Sequence, residues 1–181
     1  YWIDVGTVEA YWEAHMDLLA SPPSLNLNDR TWVIHTVSEE RPPVFIHSGA
    51  RVQDSMITDG SIIAEGAIVE RSVLSPGVYV GPNAVVRESV ILTDAYIEAG
   101  AVVERCILDK IVVVGHNAHV GSIQQVGDLG ITCVGKNTHI PAGFTIGHST
   151  ILGTDLRAED FVQFADKMVP HGTMLGYQGK K

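Results

Sequence analysis

A 17-residue repeat runs through the middle of the chain and restricts its fold more than any other feature. Small residues recur at this spacing at Ala50, Ala67, Ala84, Ala101 and Ala118. Aliphatic residues recur in two further columns, one of Ile46, Ile63, Val80, Ile97 and Val114 and one of Val52, Val69, Val86, Val103 and Val120. A fixed period of this length is typical of solenoids, in which each repeat packs on the next.

The length of the repeat fits a triangular coil. Seventeen extended residues, at ~3.3 Å each, have a perimeter of about 56 Å, or three faces of about 18 Å. Aliphatic positions about six apart resemble the hexapeptide repeat of parallel β-helices, and Gly and Asn suit corners that need a positive φ. The sequence therefore predicts a mainly β chain that forms a left-handed parallel β-helix, with the hand taken from that resemblance.

The other segments lack the repeat. Residues 1–20 contain apolar residues at helical spacing, which predicts an amphipathic helix with Thr7 as its N-cap, and residues 21–44, with four prolines, read as a linker. The β-helix is assigned to residues 45–156, and residues 157–181 are predicted to cap its last coil. Val134 begins a Val-Gly-x-Asn signature 20 residues after that of Val114, which predicts a three-residue insertion in the 124–132 region.

Composition excludes several classes of function. The chain has 12 basic and 21 acidic residues, a net charge of -9, which argues against binding nucleic acid or an anionic membrane. No apolar stretch reaches the ~20 residues that span a bilayer. Two cysteines are too few for a disulfide framework, so we expect a cytoplasmic protein. Because the chain begins with Tyr1 rather than Met, we also expect the natural protein to extend upstream.

Charged residues form columns of alternating sign. Glu70, Arg87 and Glu104 form one column, and a second contains Asp54, Arg71, Glu88 and Arg105. Since coils of a β-helix stack ~4.8 Å apart, opposite charges in register should pair along the outside. We interpret these columns as a salt ladder rather than a ligand site.

Histidines leave two other functions open within the β-helix class. Acyltransferases of this fold use a histidine as general base, and its carbonic anhydrases bind zinc with three histidines. The candidates are His116, His119, His139 and His148. Their spacing singles out no catalytic or metal set, and His116 and His119 are expected to face solvent.

Three segments resemble glucose-1-phosphate adenylyltransferases. Residues 1–19 (YWIDVGTVEAYWEAHMDLL) resemble the end of that family's nucleotidyltransferase domain, and residues 29–36 (DRTWVIHT) are similar to the segment after its helix. Residues 72–117 resemble its C-terminal β-helix. The resemblance implies a regulatory and oligomerisation domain of an enzyme that converts ATP and glucose 1-phosphate to ADP-glucose and pyrophosphate. The family's Gly-rich nucleotide loop is not in this sequence, so the isolated chain is expected to be inactive.

The resemblance also implies particular sites. Asp4, in the Asp-Val-Gly-Thr motif, matches a magnesium ligand of the full-length enzyme, although an Asp in a turn before a helix is the simpler interpretation. The helix of residues 7–19 is expected to pack on a domain outside this chain. A homo-oligomer and an anionic metabolite effector are implied as partners. Arg41, Arg157 and Lys167 are the candidate effector residues, because acidic neighbours flank the ladder arginines. The alternative function is a self-contained hexapeptide acyltransferase with a histidine base.

Overall fold

The computed structural model describes residues 1–35, 39–124 and 130–176. In this part of the chain one α-helix, α1 (Val8–Asp17), precedes 20 short strands, and a 3-10 helix spans Ala158–Phe161. Thr7 caps α1 as predicted, because its hydroxyl accepts a hydrogen bond of 3.1 Å from the Ala10 amide. No helix among the described residues is long and apolar enough to cross a membrane.

The strands form three parallel sheets that are the faces of a β-helix, which confirms the predicted fold class. The first sheet contains β1 (Phe45–Ile46), β4 (Ile62–Ile63), β7 (Tyr79–Val80), β10 (Tyr96–Ile97), β13 (Val113–Val114) and β16 (His139–Ile140). The second contains β2 (Arg51–Gln53), β5 (Ile68–Glu70), β8 (Val85–Arg87), β11 (Val102–Glu104), β14 (His119–Gly121), β17 (Thr145–Ile146) and β19 (Met168–Val169). The third contains β3 (Met56–Ile57), β6 (Val73–Leu74), β9 (Val90–Ile91), β12 (Cys106–Leu108), β15 (Thr132–Val134), β18 (Ile151–Leu152) and β20 (Met174–Leu175).

The predicted aliphatic columns fill the inside of the coils. Ile63, Val80, Ile97 and Val114 of the first sheet are fully buried, and so are their counterparts in the second sheet from Val69 to Val120. A column of hydroxyls stabilises the corner between the second and third sheets. There the Ser72 hydroxyl accepts from the Ser89 amide at 3.2 Å, and the Ser89 hydroxyl accepts from the Cys106 amide at 3.1 Å. The repeated small residues are therefore part of the packing between coils.

The insertion after β14 is longer than the sequence predicts. Val114 pairs with Ile140, 26 residues later, whereas Ile97 pairs with Val114, 17 residues later, so nine residues are added and the three-residue prediction is wrong. Val134 lies in the third sheet, paired with Leu108, rather than in the first. The inserted segment includes residues 125–129, which lie outside the described residues.

The cause of this error is a turn signature shared by two corners. Asn117, after the first sheet, has a φ of 54°, and Asn137, after the third sheet, has a φ of 59°. Each stands three residues after a buried aliphatic residue, Val114 or Val134. Because both corners need the same backbone conformation, Val-Gly-x-Asn does not identify which of them it occupies.

Helix α1 packs on the outer face of the third sheet, a contact within this chain that the sequence analysis did not predict. Trp12 is 8% exposed and lies against Val90 and Ile131. Its indole Nε1 donates to the Glu88 carbonyl oxygen at 2.6 Å, and the Arg105 guanidinium carbon lies 4.4 Å from the ring centroid. These contacts make α1 part of the same unit as the solenoid.

Two strands lie within the segment that the sequence assigns to the cap. β19 and β20 pair with β17 and β18, so the sheets continue to Leu175. Phe161, in the 3-10 helix before them, is fully buried against Phe144, with ring centroids 5.5 Å apart. The segment thus contains a partial seventh coil as well as an irregular part. Residues 177–181 lie outside the described residues.

Candidate functional site

Asp4 lies in a turn before α1 and is exposed. Its Oδ1 accepts a hydrogen bond of 3.1 Å from the Gly6 amide. Among the described residues no group of three His, Cys, Asp or Glu side chains is placed to hold a metal ion. Magnesium commonly binds through one or two carboxylates together with substrate phosphates, so Asp4 fits as one ligand of a shared site.

Arg41 forms ion pairs at the corner between the third and first sheets. Its Nη1 lies 2.5 Å from Asp94 Oδ1 and its Nη2 3.0 Å from Asp94 Oδ2, while Nη2 also donates to Glu39 at 2.8 Å. Two carboxylates therefore already neutralise this guanidinium. The ion pair with Asp94 attaches the end of the linker to the solenoid. The Pro42 carbonyl oxygen adds a second contact, because it accepts a hydrogen bond of 2.6 Å from the Gly60 amide. Together these contacts span the first three coils.

Arg157 and Lys167 both follow β18 and lie against different corners of the sixth coil. The Arg157 guanidinium donates to the carbonyl oxygens of Asn137 and Leu156, before β16. Lys167 is exposed and lies beside Gly143, after β16. A face of about 18 Å separates such corners, so the structure does not bring the two cations together in one pocket.

The first charged column pairs along the outside of the second sheet as the sequence predicts, whereas Asp54 and Arg71 of the second column form no ion pair among the described residues. Arg87 lies between two acids, with Nε 2.8 Å from Glu70 Oε2 and Nη1 3.2 Å from Glu104 Oε1. In the neighbouring column Arg105 lies 3.5 Å from Glu88. The Arg105 contact with Trp12 was not predicted, because it depends on where α1 packs.

Glu104 is the least exposed acid of the ladder and has a second partner. His119 Nε2 lies 3.3 Å from Glu104 Oε2. The pKa of Glu104 is lowered, first by the hydrogen bond with His119 and also by that with Arg87, against the opposing effect of burial. The ionised form of Glu104 is therefore favoured in the folded chain.

Replacing Glu104 with Gln should remove this pH-dependent contribution. A lowered carboxyl pKa stabilises the fold above the unfolded-state value of about 4.3 and ceases to do so as the pH falls through the folded-state pKa. We expect Glu104→Gln to lower the free energy of unfolding by about 1–2 kcal/mol at pH 7. The difference should shrink below about pH 4 in urea unfolding curves. Glu65→Gln, at an exposed position, is the control, and an equal loss at every pH would contradict the assignment.

The remaining candidate histidines do not converge. His116 and His139 are exposed. The His148 ring stacks on His171, with centroids 5.1 Å apart, in a cleft of about 400 Å³ that His119 also lines. Among the described residues, His119 is the only one of these histidines whose ring contacts a carboxylate, that of Glu104, and Arg87 binds the same carboxylate.

A larger cleft, which the sequence did not indicate, lies between α1 and the third sheet. It has a volume of about 690 Å³ and is lined by Tyr11 of α1 together with residues of the third to seventh coils. No repeat signature predicts it, because it exists only once α1 packs on the solenoid.

Comparison with known proteins shows which sequences this chain resembles. Residues 42–129 match the family described as GlmU-like, C-terminal hexapeptide. The chain is 49% identical over 183 residues to a glucose-1-phosphate adenylyltransferase of Thermomicrobium roseum, covering 89% of this chain and 40% of that protein. It is 45% identical over 92 residues to the enzyme of that name from Bacillus cereus strain Q1, covering 42% of this chain and 24% of that protein.

These relatives are longer than the chain. The sequence spans about two fifths of the Thermomicrobium roseum protein and about a quarter of the Bacillus cereus protein. The match to a hexapeptide family supports the left hand of the β-helix. The family match covers residues 42–129, and the longer alignment covers 89% of the chain.

Proposed function

We propose that this chain, whose homologues are glucose-1-phosphate adenylyltransferases, is the C-terminal regulatory and oligomerisation domain of such an enzyme. The observation that carries the proposal is the 49% identity over 89% of the chain. In the complete protein, ATP and glucose 1-phosphate would be the substrates and ADP-glucose and pyrophosphate the products, in glycogen or starch synthesis. A cytoplasmic location is part of the proposal.

In the complete enzyme this chain would contribute structural support and one metal ligand, and the rest of the enzyme would bind the nucleotide. This chain supplies a rigid solenoid, to which α1 is fixed by Trp12 and the linker by Arg41. Asp4 stands in the turn directly before α1, so packing of the helix also sets the position of this carboxylate. When bound, magnesium would neutralise phosphate charge during phosphoryl transfer, and Asp4 is the ligand that this chain would contribute.

The proposal is tested on the isolated chain. Because the chain has no Gly-rich nucleotide loop, it should form no ADP-glucose from ATP and glucose 1-phosphate.

Light scattering at micromolar concentration should give a mass above the 19.5 kDa of one chain. The reason is that the outer side of the first sheet leaves apolar surface exposed, including Phe45, Ile62 and Tyr96. A monomer would contradict the oligomerisation role, and transfer from acetyl-CoA would favour the acyltransferase alternative.

We propose that an anionic effector binds at Arg157 or at Lys167, which lie at separate corners, and we assign Arg41 a structural role. Neither Arg157 nor Lys167 has a carboxylate partner among the described residues, whereas Arg41 has two. A phosphate-bearing effector needs a cation that is not already neutralised.

Substitution in the complete enzyme tests the effector residues, with inorganic phosphate as the probe. Arg157→Ala or Lys167→Ala should change the phosphate concentration for half-maximal effect by at least about threefold, and by more than Arg87→Ala. Arg87 is the matched control because its partners are Glu70 and Glu104. A larger shift for Arg87→Ala would overturn the assignment.

A further inference from the structure

The cleft between α1 and the third sheet has an apolar floor. Ile107, Cys133 and Ile151 point outward from three successive strands of this sheet, β12, β15 and β18. Tyr11 of α1 forms one wall. The volume of about 690 Å³ falls within the 300–1,000 Å³ typical of small-molecule sites.

The opposite wall is bare backbone. Gly135, Gly153 and Gly176 follow one another along the corner. A Cβ on Gly135 would lie 2.6 Å from the Gly153 carbonyl carbon, and one on Gly153 would lie 2.3 Å from the Gly176 oxygen. The stacking of the coils thus requires these glycines, and the open wall results from this packing.

The charge that lines the cleft is negative. Asp109 is the only charged side chain among the residues that line it, none of which is Lys, Arg or His. Asp109 Oδ1 accepts from the Lys110 amide at 2.7 Å, but no described cation pairs with this carboxylate. Glu9, in the first turn of α1, adds a second negative charge that acts on Cys133.

The titratable groups of the cleft respond to this environment. Burial raises the pKa of the Cys133 thiol to about 11, and Glu9 contributes in the same direction. Burial also raises the pKa of Tyr11, with a further contribution from Asp109. Both groups therefore stay neutral at pH 7. An anion such as a nucleotide or a sugar phosphate would meet only like charge here.

We propose that this cleft binds an organic monocation, an amine carried on an apolar chain or ring. The apolar body would lie on Ile107, Cys133 and Ile151, beside the Tyr11 ring. The ammonium group would pair with Asp109 at the rim, where the carboxylate lacks a cationic partner in the described part of the chain. This site is separate from the proposed substrates, all of which are anions.

Protein-observed NMR titration of the isotope-labelled chain tests the proposal with two probes of the same apolar body, 4-phenylbutylamine and 4-phenylbutyrate. The amine should shift the amides of Ile107, Cys133 and Ile151 in a saturable way. It should bind at least about fivefold more tightly than the carboxylate at pH 7. No saturable shift, shifts confined to the other two sheets, or equal binding of the two probes would overturn the proposal.

Two substitutions distinguish amine binding in the cleft from a general attraction of the amine to the net negative charge of the chain. Asp109→Asn should bring the affinities of the two probes to within about twofold of each other. Asp59→Asn removes an exposed carboxylate from the same corner of the first coil, far along the solenoid, and should leave the wild-type ratio unchanged. If the two substitutions reduce the ratio equally, the preference comes from overall charge and the site is disproved.

Discussion

Replacing Asp4 with Asn in the complete enzyme should lower kcat by at least about 100-fold. The amide keeps the acceptor oxygen that binds the Gly6 amide at 3.1 Å, so the turn before α1 should be preserved. What is lost is the negative charge, and with it the ability to act as a magnesium ligand. Initial rates of ADP-glucose formation at saturating substrates measure the effect.

Glu13→Gln is the control for this substitution. Glu13 is an exposed carboxylate on the adjoining helix, so its removal changes the net charge equally without touching the turn. It should leave kcat unchanged, and both variants should unfold at the wild-type temperature. Turnover of Asp4→Asn within about threefold of wild type would leave Asp4 with only its role in the turn.

Replacing Gly115 with Ala should lower the free energy of unfolding by about 3 kcal/mol. A Cβ at this position would lie 2.6 Å from the Ile140 carbonyl oxygen and 2.7 Å from the Ala142 amide nitrogen. Both atoms are backbone of the next coil, so neither can move aside as a flexible side chain would. Urea unfolding at pH 7 measures the loss.

This substitution examines the stacking of coils across the nine-residue insertion. Gly6→Ala is the control, because the nearest atom to its Cβ would be Asp4 Oδ1 at an ordinary 3.4 Å. It should change the free energy of unfolding by less than about 0.5 kcal/mol. If Gly115→Ala lowers the free energy of unfolding no more than Gly6→Ala does, the fifth and sixth coils do not pack as closely as these distances indicate.

Features that repeat in the sequence were predictable from it, and features that depend on packing between segments were not. The columns through Val80 and Val86 identified the inner faces of two sheets, because burial imposes the same residue type on every coil. The length of the insertion did not follow from the sequence, because Asn117 and Asn137 both adopt a positive φ, at different corners. Periodicity alone does not distinguish such corners.

The candidate site shows the same division. The pairing of Arg87 with Glu70 and Glu104 follows from the 17-residue spacing, since residues one period apart are neighbours on a face. The Arg41 contact with Asp94 joins residues 53 positions apart, outside any period. The amine-binding cleft depends on the docking of Trp12 against Val90. A periodic pattern predicts contacts within the solenoid but does not predict which segments pack against it.

A segment exchange tests the central claim most directly. In the Thermomicrobium roseum relative, the part that aligns with this chain at 49% identity would be replaced by this chain, and ADP-glucose formation would be measured. The same relative lacking that part is the control. We predict that the chimera is active, with kcat within about tenfold of the intact relative, and that the truncated control is not. A folded chimera with no more activity than the truncated control would contradict the assignment of this chain to that enzyme.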